Sequence, residues 1–248
     1  MALTFDHGIY EPIARVVAHT ASGRDSVVAP GQVISVFGQN IGPAAPSTAS
    51  ADPATNRVPD ALAGVEVWFD DRKSSLLCVS LGQINAVAPS SLTPGTVTRV
   101  VVRNGFQSAA PLELRVEESV PGLFTVNNSG TGPAAALNQD NTLNIESTPA
   151  LPGSVVTLYG TGFGAMDPPV SDGVVTGSSA IARVRLPVRV EIGGVPALVE
   201  YAGQAPGLVA GVVQLNVRLN SATPVGLPEV VVVVGESLSQ AGVTVFVG

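Results

Sequence analysis

The chain has 248 residues, of which 45% are hydrophobic and only 12% are charged, and its net charge is −7. That length holds two cores of ordinary domain size or one large all-β domain. Because neither half is basic and Lys73 is the only lysine, the composition argues against binding to nucleic acid or to an anionic membrane surface.

The first residues, Met1–Gly8, lack the basic start and the apolar run of a signal peptide. We therefore expect either a protein that stays inside the cell or a chain whose leader and further domains have been removed. No run of 18 apolar residues is present, which predicts no membrane span. Cys78 is the only cysteine and lies in an apolar strand pattern, so we expect no intrachain disulfide and a buried, inert thiol.

The first half of the chain is predicted to form short strands separated by turns. A strand follows the Pro30-Gly31 turn, and a long loop rich in Pro, Ala and Ser follows at 42–60. Asn104-Gly105 is a hairpin signal, since a type I′ turn needs positive φ at both central positions. Strands are predicted at 13–17, 32–37, 64–69, 75–80, 83–88, 96–103 and 107–117.

The same pattern restarts near Val120. After a second Pro-Gly strand comes a second loop rich in Pro, Gly and Ser, at 164–180. No segment shows a sustained helical period, which argues against parallel βαβ units. Strand patterns lie at 124–126, 188–192, 195–201, 230–234 and 237–247.

One motif occurs twice, at 30–42 and at 152–164, and it organises the chain. Each copy has a Pro-Gly turn, a β-branched strand ending in an aromatic, and a Gly-rich turn. We interpret its glycines as positions that need positive φ or a close backbone approach. The four glycines concerned are Gly31, Gly38, Gly153 and Gly160.

The repeat extends beyond this motif, because Gln83-Ile84-Asn85 recurs as Gln214-Leu215-Asn216. The two tripeptides are 131 residues apart and the opening motifs 122, which indicates an insertion in the second unit, around 202–207. The sequence therefore predicts an all-β fold of two tandem immunoglobulin-like β-sandwich domains, 1–119 and 120–248.

Several of these motifs resemble those of known families. The hairpin 190–197 and the strand 226–234 resemble the immunoglobulin-like IPT/TIG domain. A closer resemblance is to an uncharacterised family of C-terminal regions in secreted bacterial proteins of the Acidobacteria type, and it implies an Ig-like tandem in an extracellular or cell-surface setting, with no known activity. It rests on Ala29-Pro30-Gly31, Gly82–Asn85, Pro121–Phe124, Ala136–Asp140 and Tyr201–Gly207, and spans nearly the whole chain.

Two loops hold candidate ligand sites. Gly160–Gly164 follows a strand as a phosphate-binding loop does, but Ala165–Pro169 cannot begin the helix that such a loop needs, so we predict a turn or bulge. Four oxygen-bearing side chains lie within nine residues, as calcium sites require. Asn and Asp are also ordinary turn residues, so a turn is favoured over a calcium cofactor. The four are Asn138, Asp140, Asn144 and Glu146.

The pairs Gln83/Asn85 and Gln214/Asn216 each share one face of an apolar strand. They are candidate ligand contacts, although hydrogen bonds to neighbouring backbone that fix a loop are favoured. His7 and His19 have no catalytic or zinc-binding partner suggested by the sequence, so we expect exposed or turn histidines.

A carbohydrate platform is the remaining candidate site. Phe37 and Tyr159 occupy equivalent positions of the repeat, which favours core packing over an exposed platform. The aromatics considered for such a platform are Tyr10, Trp68, Phe69, Tyr159 and Tyr201.

No catalytic constellation is present, so we predict that the protein is not an enzyme. We expect a non-catalytic structural, adhesive or protein-interaction module, recognising a protein or surface polymer through loops 42–60 and 164–180 or a sheet edge. One alternative is a filament subunit that assembles by strand pairing through its N-terminal arm, 1–20. The other is an accessory carbohydrate-binding domain.

Overall fold

The computed structural model describes residues 11–177 and 182–248, and these form two β-sandwiches in tandem. The predicted all-β class is confirmed, since every regular element of that part of the chain is a strand. No helix there is long and apolar enough to cross a membrane. His7, Tyr10 and residues 178–180 of the second predicted loop lie outside the described residues.

Unit one comprises residues 11–119 and contains eleven strands in two sheets. The strands are β1 (Ile13–His19), β2 (Val27–Val28), β3 (Val33–Gln39), β4 (Ser47–Thr48), β5 (Val65–Phe69), β6 (Arg72–Lys73), β7 (Ser75–Val79), β8 (Gln83–Val87), β9 (Val97–Asn104), β10 (Gln107–Ser108) and β11 (Leu112–Val116). One sheet has the order β1-β3-β8-β7-β4. The other has the order β2-β11-β9-β5-β6, with β10 paired to β9.

Unit two comprises residues 120–248 and repeats this arrangement with one long strand. The strands are β12 (Gly122–Leu123), β13 (Gly132–Pro133), β14 (Ala136–Leu137), β15 (Val155–Thr161), β16 (Met166–Asp167), β17 (Arg183–Val184), β18 (Val188–Ile192), β19 (Val195–Gln204), β20 (Val213–Arg218), β21 (Val230–Val234), β22 (Ser237–Leu238) and β23 (Val243–Thr244). β19 pairs first with β18 and then with β20, so it crosses from one sheet to the other.

Each unit has a hydrophobic core of its own. Strands that alternate apolar and polar residues turn one face inward, as β5 does with Val65, Val67 and Phe69. One cluster of buried residues runs from Val17 to Val116 and the other from Leu123 to Val247. The predicted boundary at residue 120 therefore falls between the two cores.

The motif glycines adopt the two roles that the sequence suggested. Gly31 and Gly153 have φ of 71° and 83°, a region that side chains with a Cβ rarely adopt. Gly38 and Gly160 instead lie against backbone: a Cβ on Gly38 would overlap the carbonyl oxygen of Ile13, and one on Gly160 would lie 2.5 Å from that of Gly122.

Two expectations about individual side chains are wrong. Phe37 and Tyr159 do not pack in the cores, because the neighbouring positions, Val36 and Leu158, take the inward face of each strand. Phe37 is 39% exposed. Cys78 lies in the predicted strand but on its outer face, and its thiol is half-buried rather than buried.

Each unit has two ends, which are named here for the repeated motif. The Pro-Gly end carries the Pro30-Gly31 or the Pro152-Gly153 turn. The Gly-turn end carries the segment 38–42 or 160–164. Because β3 and β15 run from the first of these ends to the second, the two ends lie at opposite sides of each sandwich.

Candidate functional site

The two units meet end to end, with the Pro-Gly end of unit one on the Gly-turn end of unit two. The contact is direct, since the backbone N–H of Val33 donates across it to the hydroxyl of Thr161 at 2.8 Å. The linking segment is short: Glu117 N–H still bonds to Val28 of unit one, and Val120 N–H already bonds to Gly162 of unit two. This joint is the most elaborate polar arrangement among the described residues.

His19 is the central side chain of the joint. It ends β1 and is 1% exposed, which corrects the expectation of an exposed or turn histidine. Its Nδ1 accepts the backbone N–H groups of Ala21 and Ser22, both at 3.1 Å. Its Nε2 lies 3.3 Å from the carbonyl oxygen of Thr161 in unit two. Because a carbonyl only accepts, Nε2 carries the proton of a neutral imidazole.

Burial determines the charge of this histidine. It lowers the pKa of His19 from 6.5 to about 4, against smaller opposing contributions from hydrogen bonds to Thr161 and Val120. A second proton on the ring would also displace the two N–H groups that Nδ1 accepts. His19 is therefore neutral near pH 7 and acts as a hydrogen-bonded plug between the units.

Two glycines of unit two provide the space for the imidazole. A Cβ on Gly122 would overlap the ring, lying 2.9 Å from Nε2. A Cβ on Gly162 would lie 2.8 Å from the same nitrogen and would overlap the carbonyl oxygen of Val120. Gly162 also has φ of 81°. The Gly-rich segment that resembles a nucleotide loop in sequence is followed by β16 and not by a helix, and it accommodates His19.

A second polar connection runs through Thr161, which has no exposed surface. Its hydroxyl accepts from Val33 N–H and donates to the carbonyl oxygen of Gly211 at 2.6 Å. Gly211 itself lies against unit one, since a Cβ there would be 2.5 Å from the carbonyl oxygen of Gly31. One threonine therefore links both units and the connection between β19 and β20.

A third connection joins three loops in antiparallel fashion. The side-chain amide of Asn56 donates to the carbonyl oxygen of Val175 at 2.7 Å, and the backbone N–H of Val175 donates to the carbonyl oxygen of Asn56 at 2.8 Å. Val58 N–H donates to Gly173 at 2.9 Å, also across the units. On the far side of that loop, Thr176 N–H donates to Leu208 at 2.8 Å. The segments 56–58, 173–176 and 208–210 thereby form a small sheet across the joint.

This small sheet changes the interpretation of both long loops. The loops 42–60 and 164–180 were expected to recognise a partner, and one segment of each, 56–58 and 173–175, binds the other loop. The insertion predicted around 202–207 corresponds to the connection 205–212 between β19 and β20. Its counterpart in unit one, 80–82, is short, so the extra residues of unit two serve the joint.

A cleft of about 200 Å³ opens beside the joint. It is lined by both copies of the motif, with Gly31 on one side and Phe163 on the other. Asp172 is fixed at its rim by Ser90 N–H, which donates to the carboxylate at 2.9 Å across the units. Among the described residues no group of three or more His, Cys, Asp or Glu side chains is placed to hold a metal ion.

The four calcium candidates lie in one loop at the Pro-Gly end of unit two, where three of them make hydrogen bonds within the protein. Asn144 is 2% exposed and donates to the Asn138 side chain at 2.9 Å and to Phe246 at 2.8 Å. Asp140 accepts both the N–H and the hydroxyl of Thr142, which lowers the pKa of its carboxyl. Glu146 is exposed. Calcium binding remains a prediction here, and the geometry gives the two asparagines a structural role.

We expect Asn144→Ala to lower the free energy of unfolding by about 2 kcal/mol, because Phe246 N–H loses its partner and Phe246 C=O retains only Ala150 N–H. Urea denaturation measures this change. Asp140→Asn is the matched control and retains an acceptor for Thr142, so its effect stays below about 0.5 kcal/mol. Equal losses in the two variants would contradict the structural role of Asn144.

The two Gln-x-Asn motifs form the same hydrogen bond in both units. Gln83 donates to Asn85, and Gln214 to Asn216, each at 2.9 Å. The asparagine oxygen also accepts a hydroxyl from the adjacent strand, from Ser35 in unit one. These amides bond to side chains on the outer face of the sheet, whereas bonds to neighbouring backbone were expected.

Trp68 is occupied by its neighbours. Its indole N–H donates to Glu66 at 2.8 Å, and the Lys73 ammonium and the Arg103 guanidinium lie 5.1 and 4.5 Å from the ring centroid. The hydrogen bond from Lys73, and that from Trp68 after it, lower the pKa of the Glu66 carboxyl. This cluster leaves the indole poorly suited to stack on a sugar.

The sequence did not identify most residues of the joint. Thr161 and Gly122 carried no signal of their own, since nothing in a strand pattern indicates a contact between two units. The one available signal was the replacement of Gln39 and Asn40 in the first motif by Thr161 and Gly162 in the second. At these two positions the two copies of the motif therefore differ in structural role.

No protein-family model matches this sequence, and no curated protein does. Three solved structures are similar at low identity. The surface glycan-binding protein PbSGBP-B from Prevotella bryantii (11% identity, TM-score 0.30) is matched over 94% of this chain and 41% of its own. SGBP-B from a complex xyloglucan utilization locus in Bacteroides uniformis (14%, TM-score 0.29) is matched over 94% and 49%. Domains 5–6 of the S-layer protein SbsC (15%, TM-score 0.28) are matched over 95% and 98%.

The chain spans less than half the length of the two glycan-binding structures. With TM-scores of 0.28 to 0.30, nothing that those proteins bind or assemble is transferred to this chain. The joint between the two β-sandwiches is therefore the structural feature on which the proposed function rests.

Proposed function

We propose that this protein is a non-catalytic, rigid two-sandwich module of an exported bacterial protein, which holds its two ends at a fixed distance and orientation. The observation that carries the proposal is the joint. Hydrogen bonds cross between the units at His19, Thr161 and the small sheet of 56–58 and 173–176. A flexible pair of domains would leave these groups to solvent, whereas here they are fixed by one another.

The path of the chain supports a spacer. β1 begins at Ile13 beside Gln39, which is at the Gly-turn end of unit one. The last bridge of the chain, Val247 with Ala150 and Gly226, lies at the Pro-Gly end of unit two. These are the two ends that the joint does not use. The chain thus runs from one far end of the module to the other, as a spacer requires.

Pulsed electron paramagnetic resonance tests this proposal. Nitroxide labels at Glu113→Cys and Glu191→Cys, in a Cys78→Ser background, place one label on an exposed strand of each unit. We expect a single narrow distance distribution, because the joint fixes the two sandwiches. A broad or two-peaked distribution would contradict a rigid spacer.

A carbohydrate-binding role is the alternative, and one observation favours it. On the outer face of each unit an aromatic ring lies directly opposite a glutamine, Phe37 with Gln83 and Tyr159 with Gln214. A ring face and an amide that both donates and accepts are the groups that a sugar's apolar face and hydroxyls require.

A polysaccharide pull-down separates this alternative from the spacer. Tyr159→Ala abolishes binding if the outer face recognises sugars. Trp68→Ala serves as the matched control, since that ring is occupied by Glu66, Lys73 and Arg103. Absence of wild-type binding across polysaccharide classes would remove the alternative and leave the spacer unaffected.

Assembly by donation of the N-terminal arm would disrupt contacts that the arm makes within its own chain. The part of the arm from Ile13 to His19 is already paired with β3 of its own unit. Its last residue is the plug of the joint. Giving this strand to a second copy would break both arrangements, so we do not propose strand donation.

A further inference from the structure

The Pro-Gly end of unit two exposes several large apolar side chains. Leu151 is 64% exposed beside the Pro152-Gly153 turn, and Val225 is 70% exposed in the loop between β20 and β21. Gly226 and Ala150 both form backbone hydrogen bonds with residues 246–248, which brings these loops together. The exposed apolar side chains of this end are Leu143, Ile145, Leu151, Leu198, Val225 and Leu227.

The equivalent end of unit one is covered. There, the backbone around Gly31 and Val33 lies against Gly211 and Thr161 of unit two. The repeat therefore shows what fits a Pro-Gly end, namely the Gly-turn end of a unit of the same kind. Unit two supplies one such end, and the joint uses it.

The remaining Gly-turn end, that of unit one, is not part of the joint, and its described residues also expose large apolar side chains. Phe106 is fully exposed at the tip of the β9–β10 hairpin, which the Asn104 amide ties to Asn40 at 3.0 Å. Leu81 is 48% exposed and its carbonyl accepts Ile41 N–H. Ile13 is 45% exposed at the start of β1.

We propose that a second copy of this chain docks end on, with the Gly-turn end of its unit one on the Pro-Gly end of unit two. The proposal rests on the rigid module described above and extends its internal joint by one step. Such a contact uses different surfaces on the two copies and leaves one end of each free. It therefore builds an open head-to-tail chain and not a closed dimer.

This contact differs from the internal joint in its polar groups. Asn138 takes the register position of His19 and bonds within its own loop. Val155 N–H, equivalent to Val33 N–H, is satisfied by Gln139 of its own unit at 3.1 Å. With these groups satisfied locally, the end-to-end contact is apolar. It is also reversible, because no buried hydrogen bonds cross it.

Sedimentation velocity over a range of protein concentrations tests the proposal with two exposed variants. Leu151→Asp alters the Pro-Gly end of unit two, and Leu81→Asp the Gly-turn end of unit one. Leu238→Asp is the control, since that residue is 56% exposed but lies on neither free end. Thermal unfolding of each variant verifies that it is folded, as their exposure leads us to expect.

Wild-type protein and the control are expected to associate as the concentration rises. Each end variant is expected to associate with an affinity at least about tenfold weaker, since a buried charge opposes the contact. An equal mixture of the two end variants forms dimers and nothing larger, because only one intact pair of ends remains. Association of Leu81→Asp alone at wild-type strength would overturn the proposal in favour of a symmetric contact. A wild-type protein that stays monomeric would also overturn it, and would leave the rigid spacer standing.

Discussion

Gly162→Ala is expected to lower the free energy of unfolding by about 3 kcal/mol. The added Cβ overlaps the carbonyl oxygen of Val120 and lies 2.8 Å from His19 Nε2. It also forces a residue with a Cβ to adopt φ of 81°. The overlap with Val120 lies within unit two, whereas the one with the buried His19 ring lies between the two units.

Gly153→Ala is the matched control for this prediction. Gly153 belongs to the same repeated motif and has φ of 83°, but no atom lies within 4 Å of the position of its Cβ. We expect it to lose only the backbone preference of glycine, about 1 kcal/mol. Urea denaturation of both variants measures the difference. Equal losses would mean that the close contacts of Gly162 with Val120 and His19 do not limit the side chain at this position.

Lowering the pH from 6.5 to about 4 is expected to reduce the free energy of unfolding by about 3 kcal/mol through His19 alone. Burial in the joint holds the pKa of this histidine at about 4 in the folded protein, against 6.5 in the unfolded chain. Above pH 6.5 the imidazole is neutral in both states and adds no pH dependence. As the pH falls below 6.5, His19 binds a proton in the unfolded chain but not in the folded protein. Stability therefore decreases until the histidine is protonated in both states.

The variant His19→Gln separates this effect from that of the carboxylates. Glu66 and Asp140, whose pKa values are lowered, also lose their contribution at the acidic limit of this range. We expect His19→Gln to be less stable at pH 7 and to show a flatter profile between pH 6.5 and about 5. His7→Gln retains the wild-type slope if His19 is its source. A slope unchanged in His19→Gln would contradict the buried, neutral imidazole.

Local patterns were sufficient to predict the sandwiches, and they failed at the joint. The alternation in β5 and the Pro-Gly turns depend on residues close in sequence, which is why strands, turns and the repeat were found. His19 illustrates the limit, because its burial comes from Gly122 and Gly162, more than 100 residues away. A short-range pattern carries no information about such a contact.

Side-chain direction was the second source of error. Phe37 and Tyr159 were expected in the core because they occupy equivalent positions of the repeat. Because successive side chains of a strand point to opposite faces, Val36 and Leu158 point inward and both rings lie on the outer face. The long loops show the same limit as His19: one segment of each, 56–58 and 173–176, contacts the other unit, and composition gives no sign of such a contact.

Residual dipolar couplings of the backbone amides test the rigid joint most directly. We expect the couplings of residues 13–116 and those of 123–177 and 182–247 to fit a single alignment tensor, because His19, Thr161 and the small sheet fix one sandwich on the other. Two tensors that differ in magnitude or orientation would show independent motion of the units. That result would contradict the account of the protein as one rigid body.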